Sequence, residues 1–262
     1  MAESSLSLNR TKLRLALARF LGYGGTAANW SDAQSARLDE IIDTGLRQLY
    51  NPPPVSSPRS PLGVYQHEWK FLKISATLPT VADSSELALP DDFGLLDGGI
   101  SFAGNEGTLS LIRTEPFQIL QRRQTLTSSG TPTHFAIQAQ SVKDLTTGQR
   151  FEIMFSPTPN AVYNLYFHYE VNANQLTSGL PYAPGGMQHS ETIKASCLDV
   201  AEREEKHEEG IQHTHWMRQL QASIELDKKA MRGTNLGINT DPGRLNFVRS
   251  RTGTVSYNGT EV

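Results

Sequence analysis

The chain has 262 residues, of which 37% are hydrophobic and 19% charged, enough apolar material for a buried core and too much for wholesale disorder. A formal net charge of −3 argues against a general electrostatic grip on nucleic acid, and the one cysteine, Cys197, excludes an intramolecular disulfide framework and a multi-cysteine metal site within one chain. No apolar run approaches the ~18 residues of a membrane span, so the expectation is a soluble, reduced chain of mixed helix and strand, with 21 Gly and 14 Pro marking many turns.

Asn9 is placed to cap a first helix whose apolar positions are Leu13, Ala16, Leu17, Phe20 and Leu21, closed by Gly22, Gly24 and Gly25. Its four basic residues and lack of acid also suit a transit peptide or a helix lying on a membrane. The short glycine turn into the next element favours a packed core helix instead. No secretory apolar region precedes it, so the sequons at Asn29 and Asn258 carry no weight. Ser31 and Gln34 match a capping box, and Leu38, Ile41, Ile42, Leu46 and Leu49 form one stripe of a second helix of about five turns. Asn51-Pro52-Pro53-Pro54 stops it, and a proline- and serine-rich connector follows to Pro61.

Beyond the connector the period changes to that of strands. Trp69, Phe71 and Leu72 to Leu78 read as one strand, Leu87 to Leu89 as another, then Ile100 with Phe102, and Leu109, Leu111 and Arg113. Thr114 is placed to cap a short helix through Phe117, Ile119 and Leu120 to Arg123. Alternation returns at Phe135, Ile137 and Ala139, at Phe151, Ile153 and Phe155, and from Tyr163 to Val171. The last two read as a hairpin turned by Pro157-Thr158-Pro159-Asn160. After the second boundary, Leu180 to Gly186, a helix carries Ile193, Cys197, Val200 and Ala201 and breaks at Gly210. A second follows with His213, Met217, Leu220, Ile224 and Met231 on one face and Lys228, Lys229 and Arg232 in its last turn. An antiparallel pair is the economical reading.

The expected fold class is therefore α+β: a helical bundle core of two N-terminal and two C-terminal helices, an inserted β-rich domain and an extended C-terminal arm. The boundaries are 1–55 for the first helices, 62–180 for the insertion with its short helix, 187–232 for the final pair and 233–262 for the arm. The arm has no periodicity long enough for a packed element. Phe247-Val248 and Thr254 to Tyr257 nevertheless have strand-forming chemistry, which suits a segment that orders against a neighbour.

Candidate chemistry is sparse. His207, His213 and His215 lie among Glu204, Glu205, Glu208 and Glu209, but two histidines two residues apart point to opposite sides of a helix, and no H-E-x-x-H spacing exists. A solvated, charge-laced face is the expectation. Asp91-Asp92 suits a turn after a strand better than metal-assisted hydrolysis. Cys197 sits on an apolar stripe as a small buried hydrophobe. The glycine clusters lack the lysine of a phosphate loop, and G-x-S-x-G is absent. The expectation is no catalytic, metal or cofactor site.

One ordered set of motifs does carry a resemblance. Leu49-Tyr50-Asn51-Pro52 closes a two-helix start, followed by Glu68-Trp69-Lys70-Phe71 and Leu89-Pro90-Asp91-Asp92-Phe93-Gly94. Then come Gly130-Thr131-Pro132, Phe155-Ser156-Pro157-Thr158-Pro159, and His189-Ser190-Glu191-Thr192 opening the final helices. Over about residues 8–240 this resembles the head-to-tail adaptor (connector) proteins of tailed bacteriophages, and more distantly tail tubular protein A of short-tailed phages. The resemblance implies a homo-oligomeric ring, a 12-mer, in the virion neck. The phage portal protein would lie above it and a tail tube, nozzle or other neck protein below. Passing double-stranded DNA would make only transient, non-specific contact. It implies assembly in the host cytoplasm, no enzyme activity, no cofactor and no membrane partner. Such adaptors grip the portal with an extended C-terminal segment, here Leu236, Ile238, Arg244, Leu245, Phe247, Val248, Arg249, Arg251, Val255 and Tyr257. The competing readings are a stopper or tail-terminator ring protein and, further off, a metal-dependent hydrolase using Asp91, Asp92 and the histidines.

Overall fold

The computed structural model describes residues 3–54, 66–103, 110–140 and 148–231. Two compact units divide the chain, Met1–Ile224 and Glu225–Val262; the account below concerns the first. Among the described residues are five α-helices: α1 (Arg10–Phe20), α2 (Asp32–Tyr50), α3 (Pro116–Thr125), α4 (Gly186–Lys206) and α5 (Ile211–Met231). There are seven strands: β1 (Lys73–Pro79), β2 (Glu86–Ala88), β3 (Phe93–Phe102), β4 (Ile112–Arg113), β5 (His134–Ala139), β6 (Phe151–Ser156) and β7 (Asn164–Val171). The fold class is α+β. None of the described helices is long and apolar enough to cross a membrane.

The first two helices form where local chemistry directs them. The Asn9 side chain accepts the Lys12 N–H, and Ser31 and Gln34 make a reciprocal capping box at the start of α2, a cap worth ~1 kcal/mol. Leu38, Ile41, Ile42, Leu46 and Leu49 are buried on one stripe of α2 as the spacing predicts. On α1 the stripe is narrower than expected: Leu13, Leu17 and Ala18 are buried, whereas Phe20 at the last position is exposed. Leu13, Leu17, Leu38, Ile41, Leu49, Ile193, Val200, Trp216 and Leu220 share one apolar cluster, which draws on α1, α2, α4 and α5.

Two sheets form a second cluster. One is three-stranded and antiparallel in the order β1-β7-β3, the other four-stranded in the order β2-β6-β5-β4 with β4 parallel to β5. Phe135, Ile153 and Phe155 from the second sheet share one buried layer with Ile100, Leu165, Phe167 and Tyr169 from the first. On the opposite face of the four-stranded sheet, Met154 and Ala136 are covered by Ile119 of α3.

Several expectations need correction. The predicted hairpin between Phe151–Phe155 and Tyr163–Val171 does not exist, because β6 pairs with β2 and β5 while β7 pairs with β1 and β3. The connecting prolines 157 and 159 offer no N–H to a ladder, and their segment bonds sideways instead: Gly130 N–H donates to Thr158 O and Asp83 N–H to Pro159 O. Trp69 and Phe71 are not in a strand; Lys70–Leu72 is a 3-10 turn, and Trp69 belongs to the helical cluster. The strand expected at Ile100–Phe102 begins at Phe93 and is bulged. Leu111 lies outside β4, and Leu109 is not among the described residues. Glu115, not Thr114, occupies the α3 cap, since the Thr114 hydroxyl donates to Phe135 O across the sheet. Helix α4 stops at Lys206, where His207 takes the left-handed conformation, φ 57°, before Gly210 is reached. On α5 the buried anchor is Trp216, which the apolar pattern passed over in favour of Met217.

Candidate functional site

The proposed docking residues Leu236, Ile238, Arg244, Leu245, Phe247, Val248, Arg249, Arg251, Val255 and Tyr257 all lie outside the described residues. The motifs within the described part can be followed one by one, and each turns out to hold two elements together.

Three of them meet where the sheets join the helices. The Trp69 Nε1–H donates to Leu49 O at 2.7 Å, satisfying a carbonyl at the C-terminal end of α2 that the helix itself leaves free. The Trp69 ring packs 5.4 Å from His189 at the start of α4, and Phe71 lies 4.9 Å from the same imidazole. Tyr50 meets Phe71 edge-on at 6.4 Å and donates its hydroxyl to Pro184 O; burial pushes its phenol well above the ordinary range. The polypeptide that enters the sheets is thereby clamped to the ends of both α2 and α4.

The next motif closes the turn between β2 and β3. Tyr169 on β7 donates its hydroxyl to Asp92 Oδ1 at 2.9 Å, and burial, with help from that carboxylate, pushes the phenol up to about 12. Asp91 pairs with Arg150 at 3.0 Å. The backbone of the same turn takes Asn172 N–H on Asp92 O, and the Asn172 amide on Phe93 O. The two aspartates thus face different partners. Gly130 and the Pro157–Pro159 segment pair with each other through an isolated bridge, and Thr131 Oγ1 lies 3.0 Å from the Tyr163 hydroxyl.

Nor are the histidines one group. His207 ends α4, His215 is exposed, and His213 is half-buried against α4. Among the described residues no group of three or more His, Cys, Asp or Glu is arranged to hold a metal ion. Cys197 is buried, and burial pushes its thiol up to about 12, which leaves almost no thiolate at neutral pH.

The charge-laced face expected around these histidines contains something the sequence reading missed. Asp199 is only 1% exposed and sits between three helices. Gln48 of α2 donates to its Oδ2 at 2.8 Å, Arg203 one turn on lies 3.2 Å away, and His213 Nδ1 of α5 lies 3.1 Å from Oδ1. Glu202, also buried, accepts the Gln212 N–H at 2.7 Å and so caps α5 from the neighbouring helix. Further along, Thr192 Oγ1 lies 2.6 Å from Ser223 Oγ, which is 3.2 Å from His189 Nδ1. The signal was present: Thr192, Ser196, Asp199 and Arg203 recur at spacings of three and four, a polar stripe beside the apolar one.

Apolar side chains also face solvent in places where a lone chain gains nothing from them. Phe117 on the outer side of α3 is 67% exposed, with Leu120 one turn on, and Leu6 and Met187 are exposed around the start of α4.

No curated protein sequence matches the chain. A family model does: that of the SU10 adaptor protein, over residues 9–239, a span that contains every motif described above.

Proposed function

The chain belongs to the SU10 adaptor protein family of phage head-to-tail adaptors, and from that premise we propose that it forms a homo-oligomeric ring in the virion neck, joining the portal of the DNA-filled head to the tail. The family assignment makes it a structural phage protein. The finer reading adds twelve copies, the portal protein above, a tail tube, nozzle or other neck protein below, and no catalysis.

One observation carries the reading: the residues of each family motif are spent on joining elements of the fold, as in Trp69 with Leu49 and His189, or Asp92 with Tyr169. A ring subunit works by repeated burial of matching surfaces and requires no reactive group. The exposed Phe117 and Leu120 are apolar area available for such burial. The mild net charge of −3 suits a conduit that lets phosphate backbones pass without holding them. In this reading the helices of 1–55 and 187–232 build the ring wall, 62–180 is an inserted domain, and 233–262 is the arm that enters the portal by strand addition or groove binding.

Truncation after Gly233 tests it. The shortened chain is expected to keep the helical circular dichroism of the full protein and to lose binding to portal-bearing heads in a sedimentation assay. Undiminished binding would overturn the role of the arm.

A further inference from the structure

Two large apolar side chains stand far out of the fold, Ile211 at 81% exposed and Phe117 at 67%. We propose that they belong to one contact between copies of the chain: the outer side of α3 on one copy seats on the corner between α4 and α5, residues 204–211, of the next. The inference rests on the ring reading for the presence of a next copy and deepens it by naming the two surfaces that meet.

Helix α3 lies on the four-stranded sheet through Ile119, which is buried against Ala136 and Met154. A helix that met only water on its other side would be polar there. That side instead presents Phe117 with Leu120 one turn on, and Ile112 is exposed on β4, the edge strand that leads into the helix. The charge around this apolar area is positive. Residues 110–140 hold three arginines against one acid, Glu115, in a chain whose net charge is −3. Arg123 is taken up by Glu86, whereas Arg113 and Arg122 make no ion pair among the described residues. The charge of Arg122 reaches His134, which burial and then this guanidinium hold below its ordinary value.

The corner between α4 and α5 has the opposite sign. Glu204, Glu205, Glu208 and Glu209 are exposed there, and Ile211 opens α5 beside them. The nearby cations are committed: Arg203 to Asp199, Lys206 to Glu202 and Arg37 to Glu205. Glu204 and Glu208 are left without a cation among the described residues. The two surfaces therefore match in both respects, since apolar area meets apolar area and each free charge meets its opposite. Helix α3 docked on α3 of a second copy would instead set arginine against arginine. The matching surfaces also belong to different clusters of one chain, α3 to the sheets and the corner to the helices. A contact between unlike surfaces is head-to-tail, and repeated around an axis it closes a ring.

Cysteine cross-linking of the full chain tests the contact. The single variants F117C and I211C are mixed at high concentration in low salt, oxidised, and sized on a non-reducing gel; Cys197 is buried and takes no part. The contact predicts a crossed F117C–I211C dimer in excess over like dimers, and a ladder of multimers from the double variant F117C/I211C. Adding R113E/R122E to the F117C copy should lower the crossed product about tenfold, and adding E204R/E208R to the I211C copy should restore it. Like dimers in excess, a yield indifferent to these charge reversals, or no crossed product at all overturns the contact. Sedimentation of the wild-type chain with portal-bearing heads decides the neck reading separately. Heads that take up the chain while no crossed product forms leave that reading standing and overturn this contact. Crossed product from a chain that no head takes up upholds the contact and fails the neck reading.

Discussion

Helix α4 has two neighbours and treats them differently. Against α2 it is packed so closely that a Cβ on Gly45 would stand 2.8 Å from both the Cα and the Sγ of Cys197, and the Ser196 hydroxyl donates directly to Gly45 O at 2.8 Å. Against α5 the contact is made by long polar groups meeting midway, Asp199 with His213 and Glu202 with the Gln212 N–H. The first seam is backbone against backbone, where no side chain can give way. The second adds, beside the buried anchors Trp216, Leu220 and Ile224, polar partners that water can replace. Where a protein keeps both kinds around one helix, the close seam sets the fold and the polar seam is the place where the fold can open.

The sharpest test of that contrast is Gly45→Val. Its new Cβ would strike the Cα and nitrogen of Cys197, backbone atoms that move only if the two helices part. Overpacking of this kind is expected to cost about 3 kcal/mol, read as a fall in the urea midpoint with an unchanged slope. If Gly45→Val unfolds like wild type, the approach of α2 and α4 is looser than described, and the contrast disappears.

A smaller effect is expected where the two seams share a residue. Asp199→Ala leaves Gln48, Arg203 and His213 without their common acceptor. Removing one member of a fully buried ion pair costs several kcal/mol, but Arg203 is 41% exposed and can turn to solvent, so a loss of about 2 kcal/mol is expected. Hydrogen exchange should show that α5 amides lose more protection than those of α2. Equal losses in both helices would mean that Asp199 holds the bundle together as one body.

How much of this was written in the sequence depends on how local the cause is. Asn9, Ser31 and Gln34 cap their helices within three residues of chain, and the α2 stripe needs only a period of 3.6. Sheet membership is different in kind. Strands β6 and β7 have the alternation and the turn residues of a hairpin, yet β6 pairs with β2 and with β5 before it, and β7 with β1 and β3. The same alternation serves a hairpin and two facing sheets equally, because in both cases one side of each strand is buried. Trp69 was misread for a related reason: its neighbours Phe71 and Leu72 continue an apolar run, and only the free carbonyl of Leu49 explains why its ring turns to the helices. Asp199 and Glu202 carry no signal of burial in the sequence because a carboxylate is seldom buried, and their partners Gln48, His213 and Gln212 come from other helices.

The last and smallest effect concerns acid. Glu202 is held below its ordinary value of 4.5, first by the hydrogen bond from Lys206 and then by the Gln212 N–H, with burial opposing both. A carboxylate whose folded value is lowered contributes stability that is complete above the unfolded value and is lost as the pH falls through the folded one, here below about 4.5. Asp43 on α2 and Glu170 on β7 run the other way: burial raises both, so acid relieves them. The sum over the chain therefore hides the contribution of Glu202, whereas the difference between wild type and Glu202→Gln exposes it. Wild type is expected to be the more stable at about pH 6, and the two should draw together as the pH falls below 4.5 and the glutamate takes up its proton. The convergence should be accompanied by earlier exchange of α5 amides in wild type, with α2 little changed, since Gly45 and Cys197 carry no charge that acid could remove. A constant offset at every pH would show that the carboxylate caps α5 by shape alone, and the polar seam would then not be the one that acid opens.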